Sequence, residues 1–318
     1  MSYLKSKELI KRWSIFPLIH PDLWEFYKNA ENQVWKAESI DLSNDKYDDL
    51  NNEEKVYLKN ILSFFTVSDG LVLENLASNF VQEVNILEAQ YFYALQAFGE
   101  QVHANTYSLL IETYIKDAEE KQAMFTAIEN IDTVKKKTAW AMKWLDHPSF
   151  AHRLVAFSLV EGLSFSSIFA GVFWYRSRNK MEGLCAANEE IMRDEINHYE
   201  FAIYLYKTYL KDEYKINKDE IKQMIIECCN VEKTFIEDSM PIGLQGLKKE
   251  DMLSYVENIA DIILNDYGIE KYYNSPNNLE YMKRIGLSSK NNFFEQRIGT
   301  YTRVDIPISK AEMFDDNF

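Results

Sequence analysis

Residues 86–115 read ILEAQYFYALQAFGEQVHANTYSLLIETYI. No proline interrupts the run, and apolar residues return at intervals of three and four, so it reads as one very long helix. Glu100 and His103 stand three residues apart on it, one turn apart on a single face. A second window, DEINHYE at 194–200, repeats the spacing with Glu195 and His198. The chain has only five histidines, so two in the same Glu-x-x-His relation narrow the reading. Paired windows of this kind, with one further carboxylate from each of two other helices, build a dinuclear carboxylate site inside a bundle. Asp69 in FFTVSDGL and Glu161 in FSLVEGLSF supply those carboxylates, each within an otherwise apolar helix. An uncompensated carboxylate buried there costs on the order of several kcal/mol, and metal coordination is one way to offset it.

The chain has 318 residues and is 47% hydrophobic, enough for one large domain or two small ones. Glycine (10) and proline (6) are scarce, whereas tyrosine (20) and phenylalanine (19) are abundant, which favours long helices over a turn-rich β architecture. Helical patterning covers 53–80, 86–115, 118–131, 133–145, 149–179, 184–210, 218–239 and 249–266. The expected fold is all-α, a ferritin-like bundle of long helices with a dinuclear metal site in its core. Residues 1–29 read as an irregular segment, with Pro17 and Pro21 breaking any long element, and a short helix is expected over 31–38. LSNDKYDDLNNEE (42–54) supplies a turn region and helix caps. Residues 30–285 form the helical domain, and 286–318 a C-terminal segment with a flexible tail ending MFDDNF, read either as a frayed terminus or as a docking motif.

The formal charge of −15 disfavours nucleic acid as a partner. VKKKTAW (134–140), the dense basic cluster, reads as a solvated helix face. Cys185, Cys228 and Cys229 have no metal-ligand spacing and are odd in number, which fits a reducing, cytoplasmic setting rather than a disulfide framework. The N-terminus lacks the apolar stretch of a signal peptide. FSLVEGLSFSSIFAGVFWY (157–175) is the most apolar segment, but Glu161 and its serines favour a buried helix over a membrane span.

The six candidate ligands, Asp69, Glu100, His103, Glu161, Glu195 and His198, comprise four carboxylates and two imidazoles. Two divalent ions would balance the four negative charges, and the oxygen-rich, thiolate-free set suits iron or manganese better than zinc or copper. Tyr107 lies four residues past His103, on the same stripe. Spacing alone leaves it open between a phenol placed beside the metals and one tyrosine among many. Phe165 and Phe169, one and two turns past Glu161, are candidate walls of its pocket or ordinary core.

Beyond these windows, VWKAESIDLS (34–43), FFTVSDGLVLENL (64–76), EVNILEAQYFYALQ (83–96), HANTYSLLIETYIKD (103–117), VKKKTAWAMKW (134–144), VAFSLVEGLSF (155–165), NEEIMRDEINH (188–198) and NFFEQRIGTY (292–301) run in order along nearly the whole chain. In these segments the chain resembles the small, radical-generating subunit of class I ribonucleotide reductase, of the eukaryotic and viral type. The resemblance implies that the same six residues hold two iron ions, with manganese an alternative, and that Tyr107 carries a radical formed with dioxygen. It implies an electron route from Tyr301 through Trp35 and Asp194 to His103, with Arg193 beside it. It also implies a homodimer, and a large catalytic subunit docked through the C-terminal tail. MFDDNF is similar to the family's acidic, phenylalanine-ending tail, but has MFDD where close relatives carry a leucine-containing ending, which leaves docking specificity open. No glycine-rich phosphate loop is present, in keeping with a subunit that leaves the substrate to its partner. A ferritin-like di-iron oxygenase and an iron-storage protein share the paired windows and stand as the rival readings.

Overall fold

Helix starts are set by local chemistry. In the structure, a computed structural model, residues 3–6, 12–75, 80–127, 131–242 and 244–285 are described, with backbone alone at 66–75 and 284–285. The α-helices of six or more described residues are α1 (Pro21–Glu31), α2 (Asn52–Asn75), α3 (Leu87–Tyr114), α4 (Ala118–Phe125), α5 (Asp132–Leu145), α6 (Phe150–Leu159), α7 (Ser166–Ser177), α8 (Glu182–Tyr204), α9 (Lys218–Ser239), α10 (Lys249–Asp266) and α11 (Glu280–Ile285). Among the described residues there is no sheet; Leu4 and Leu210 form an isolated antiparallel bridge. At α2, Asn51 and Glu54 form a reciprocal capping box: Glu54 N donates to Asn51 Oδ1 at 2.8 Å and Asn51 N to Glu54 Oε2 at 2.9 Å. Asp117 and Asn217 cap α4 and α9 by accepting from Glu120 N and Glu220 N.

Four rods form the centre. α2 packs along α3, α8 packs against both α6 and α7, and contacts between α3 and α8 and between α2 and α7 close the bundle. α9 and α10 pair on the outside, with α5 against α9 and α1 against α3. Each candidate ligand therefore comes from a central rod. α6 and α7 are halves of one rod joined by a π-helical turn, Val160–Ser164, which carries Glu161. Such a turn inserts one residue into the helical ladder and re-aims the side chains beside it. Gly162 is required there, because a Cβ would meet the Tyr199 ring at 2.6 Å. In the apolar Phe150–Ser177 stretch the most hydrophobic window is 94% buried inside the protein.

Three expectations need correction. Residues 21–31 are helical rather than irregular, and the expected helix over 31–38 does not form, since past Glu31 only the short 3-10 turn Ala37–Ser39 is helical. Pro21 begins α1 instead of breaking it, because the first helical position needs no N–H donor and its φ is already helical. Tyr204 and Tyr209 then donate to Asp22 in the first turn, fixing α1 to the end of α8. The basic run is also not wholly solvated. Lys135 and Lys136 are exposed, but Lys137 lies on the stripe of Val134, Thr138 and Leu145 and is 2% exposed. Its Nζ stands 2.6 Å from buried Glu232 and 3.8 Å above the centre of the Phe64 ring. Ser167 donates to the same carboxylate.

Removing one member of a buried charge pair strands the other. Glu232→Leu is expected to lower unfolding free energy by about 3–5 kcal/mol, read by denaturant titration. The double replacement Lys137→Met with Glu232→Leu should cost clearly less than the two single replacements added together.

Candidate metal centre

The helical period delivers the expected convergence. Glu100 and His103 on α3, Glu161 on the π turn, and Glu195 and His198 on α8 are all at most 5% exposed. Donor atoms of Glu100, Glu161, Glu195 and His198 lie within 4.8 Å of one another. His198 Nδ1 is 3.0 Å from Glu195 Oε2 and 3.2 Å from Glu100 Oε1. His103 Nδ1 is 3.1 Å from Glu195 Oε1 and 3.5 Å from Glu100 Oε2. Both imidazoles thus turn Nδ1 inward. Asp69 falls on the backbone of α2, but its side chain lies outside the described residues, as does all of Tyr301.

Close approach without bonding identifies what the cluster can hold. Neither carboxylate oxygen of Glu100 nor His103 Nδ1 makes a well-formed hydrogen bond, although each lies near an oppositely charged partner. Buried polar atoms are seldom left so. Atoms that gather around a common point without hydrogen-bond geometry fit coordination of a cation, and hard oxygen donors with imidazole fit a divalent transition metal. The protonation of the cluster points the same way. Burial works against charge on His103, but the Glu195 charge and the polar contacts with Asp194 and Glu100 outweigh it and raise the imidazole well above its ordinary value. His198 is likewise pushed up to about 9 against burial, by the polar contacts and charge of Glu100 and Glu195. Burial would raise Glu195, yet its polar contact with Glu161 and the charge of His103 hold it far below the usual carboxylate range. Without metal the carboxylates hold protons on the imidazoles; a divalent cation supplies the same charge and displaces those protons.

A second layer orients these groups. His103 Nε2 and Trp35 Nε1 both face Asp194 Oδ2, at 3.2 Å and 2.8 Å, and the Trp35 and His103 rings lie 6.1 Å apart and nearly parallel. A carboxylate behind an imidazole fixes its tautomer and strengthens it as a ligand. Arg193 stands beside this arrangement, donating to Gln33 O at 3.0 Å and pairing with Glu190. Gln96 Nε2 donates to Glu161 Oε1 at 3.1 Å.

Tyr107 is fully buried, and its hydroxyl donates to Asn188 Oδ1 at 2.9 Å. The Phe65 ring stacks on it, 4.0 Å between centroids and 10° from parallel. Phe165 and Phe169 pack on Phe65 at 5.7 Å each, so they line the aromatic wall one ring further out. Sequence reading passes over Phe65, Gln96, Gly162 and Asn188. Gln96 and Asn188 carry a signal, since they precede Glu100 and Glu195 by one and two helical turns on the same stripes. Phe65 and Gly162 carry none, because a neighbouring rod defines their roles.

Comparisons with known proteins agree with this geometry. The family description "Ribonucleotide reductase, small chain" matches residues 12–279. The sequence is 44% identical over 306 residues to the ribonucleoside-diphosphate reductase small subunit of Dictyostelium discoideum, covering 95% of this protein and 90% of that one. It is 41% identical over 298 residues to the corresponding small subunit of vaccinia virus, with 93% and 92% covered. Among solved structures, a ribonucleotide reductase homodimer from Saccharomyces cerevisiae superimposes with a TM-score of 0.79 at 30% identity, covering 92% of this protein and 91% of that one. The fold alone is shared with a dimanganese(II) protein of Streptococcus sanguinis, at a TM-score of 0.73 and 20% identity, with 88% and 100% covered. A buried carboxylate–histidine cluster on three rods, in a chain matched along almost the full length of these relatives, places the protein in the ribonucleotide reductase small-chain family, as the radical-generating subunit of a class I enzyme.

Proposed function

We propose that Asp69, Glu100, His103, Glu161, Glu195 and His198 hold two metal ions, and that Tyr107 is the residue oxidised beside them. The observation that carries this reading is the convergence of buried donors from three rods on one point, within 4.8 Å, with the fully buried Tyr107 one helical turn past His103 on α3. We take the ions to be iron, with manganese the alternative that the same hard donors accept. Bound there, the metal pair supplies the dioxygen-reducing chemistry that draws one electron and the phenolic proton from Tyr107.

The chain's own residues do the rest. Asn188 fixes the phenol, and the Phe65 stack keeps water from it. Asp194 joins Trp35 to His103 through one carboxylate oxygen, a short hydrogen-bonded path from a metal ligand to a half-buried indole. We assign that path, with Tyr301 beyond it, to passage of the oxidising equivalent to the large catalytic subunit, where ribonucleotides are reduced. We assign residues 286–318, ending MFDDNF, to docking on that subunit. The homodimer of the yeast relative supports a homodimer here, and the composition supports a cytoplasmic setting. An oxygenase would need room for an organic substrate. The cavity lined by Trp35, Gln96, Gly99, Asp194 and His198 measures about 30 Å³, room for two or three waters at about 10–15 Å³ each.

Metal analysis after loading is expected to give two ions per chain, against the many ions of a storage protein, and Glu161→Ala should lose the ordered pair. Tyr107→Phe should keep both ions while the tyrosyl signal in electron paramagnetic resonance, formed on adding ferrous iron and dioxygen, disappears. Deleting MFDDNF should leave that signal intact and reduce turnover with the large subunit to background; full turnover by the truncated chain would remove the docking role.

A further inference from the structure

Asn188 is fully buried, and its two polar ends face different partners. Nδ2 donates to Leu184 O at 2.9 Å, while Oδ1 accepts from the Tyr107 hydroxyl at 2.9 Å. A backbone carbonyl can only accept, so the amide nitrogen belongs on the Leu184 side and the carbonyl oxygen on the Tyr107 side. The frame that holds this orientation is anchored at the start of α8. Asp45 accepts from Gly183 N at 2.7 Å and Leu184 N at 2.8 Å, and Tyr114, two turns past Tyr107 on α3, donates to the same carboxylate. The chain there is so close that a Cβ on Gly183 would lie 2.6 Å from Asp41 O. α3 and α8 are thus tied at two heights, and Asn188 has little freedom to turn its amide over.

We propose that Asn188 is a fixed acceptor that stabilises only the reduced, protonated form of Tyr107 and thereby makes its radical a stronger oxidant. The inference rests on Tyr107 being the residue oxidised. The couple is Tyr107–O• + e⁻ + H⁺ ⇌ Tyr107–OH. On reduction the O–H bond forms and can be donated to Asn188. On oxidation that bond breaks, and the electron and proton would go to dioxygen, the oxidant that bound metals would supply. The phenoxyl oxygen can then only accept, and so can the Asn188 carbonyl, so their hydrogen bond exists on the reduced side alone. An amide carbonyl is too weak a base to keep the proton, so Asn188 tunes the couple without being the proton acceptor.

Two measurements test this. In wild-type protein with ¹³C-labelled asparagine, an infrared difference spectrum taken as the radical forms should show one side-chain carbonyl stretch moving to higher frequency, as it loses a donor. In Asn188→Leu that retains two ions per chain, the radical should be consumed by 4-methoxyphenol about three- to tenfold more slowly than in wild type. Absence of the labelled band shift overturns the proposal, as does decay in Asn188→Leu at the wild-type rate or faster. It is also overturned by an exchangeable proton coupling to the radical that vanishes in Asn188→Leu, because the amide would then have turned to donate. A radical that persists in Tyr107→Phe would instead refute the assignment of Tyr107 itself, whatever Asn188 does.

Discussion

The structure is organised around the burial of charge. Glu100, Glu161, Glu195, His103 and His198 sit inside an apolar bundle at no more than 5% exposure, where an isolated carboxylate would take a proton rather than stay ionised. The 3.0–3.5 Å separations among Glu100, His103, Glu195 and His198 are set by α3 and α8, which must keep register. The long α3, the π turn that re-aims Glu161 and the glycine that lets Tyr199 close over that turn all serve the placement. A bundle of shorter or looser helices would bury similar apolar area without holding the cluster.

A second buried pair shows what distinguishes this cluster. Lys137 and Glu232 face each other at 2.6 Å, with Ser167 on the same carboxylate and aromatic rings beneath the ammonium. One cation meets one anion, so the pair is self-sufficient and needs no ion. In the ligand cluster, carboxylates outnumber imidazoles, and Glu100 is approached by two imidazoles without a well-formed hydrogen bond to either. The excess of negative charge separates a site suited to a cation from one whose charges already balance.

Periodicity makes much of this legible in the sequence. α9 and α10 match the expected bounds of 218–239 and 249–266, and α3 runs from Leu87 to Tyr114 within the expected 86–115. Glu-x-x-His spacing brings Glu100, His103, Glu195 and His198 together because a helix translates spacing directly into a shared face. The misreadings come from residues whose meaning depends on context. Pro21 looks like a breaker, though at a first helical position it is a starter. Lys137 looks solvated by its charge, though its place on the apolar stripe points inward. Tyr107 stays ambiguous from spacing, since burial, the Phe65 stack and the Asn188 bond all involve other helices.

Those same contacts give the centre two unlike sides. Toward Trp35 it is polar: Asp194 bridges ligand and indole, Arg193 and Gln33 stand close by, and Trp35 is half-buried. Toward Tyr107 it is apolar and sealed, with Phe65 stacked on the phenol and Phe165 and Phe169 behind it. An oxidised phenol in water is quickly reduced or adds to a neighbour, so the sealed side suits storage. Transfer to a partner needs a path on which an electron and a proton can move together, and a carboxylate between an indole N–H and an imidazole provides one. The carboxylate–histidine cluster and Tyr107 share α3, with Tyr107 one helical turn past His103. Asn188 and Asp194, six residues apart on α8, hold one each.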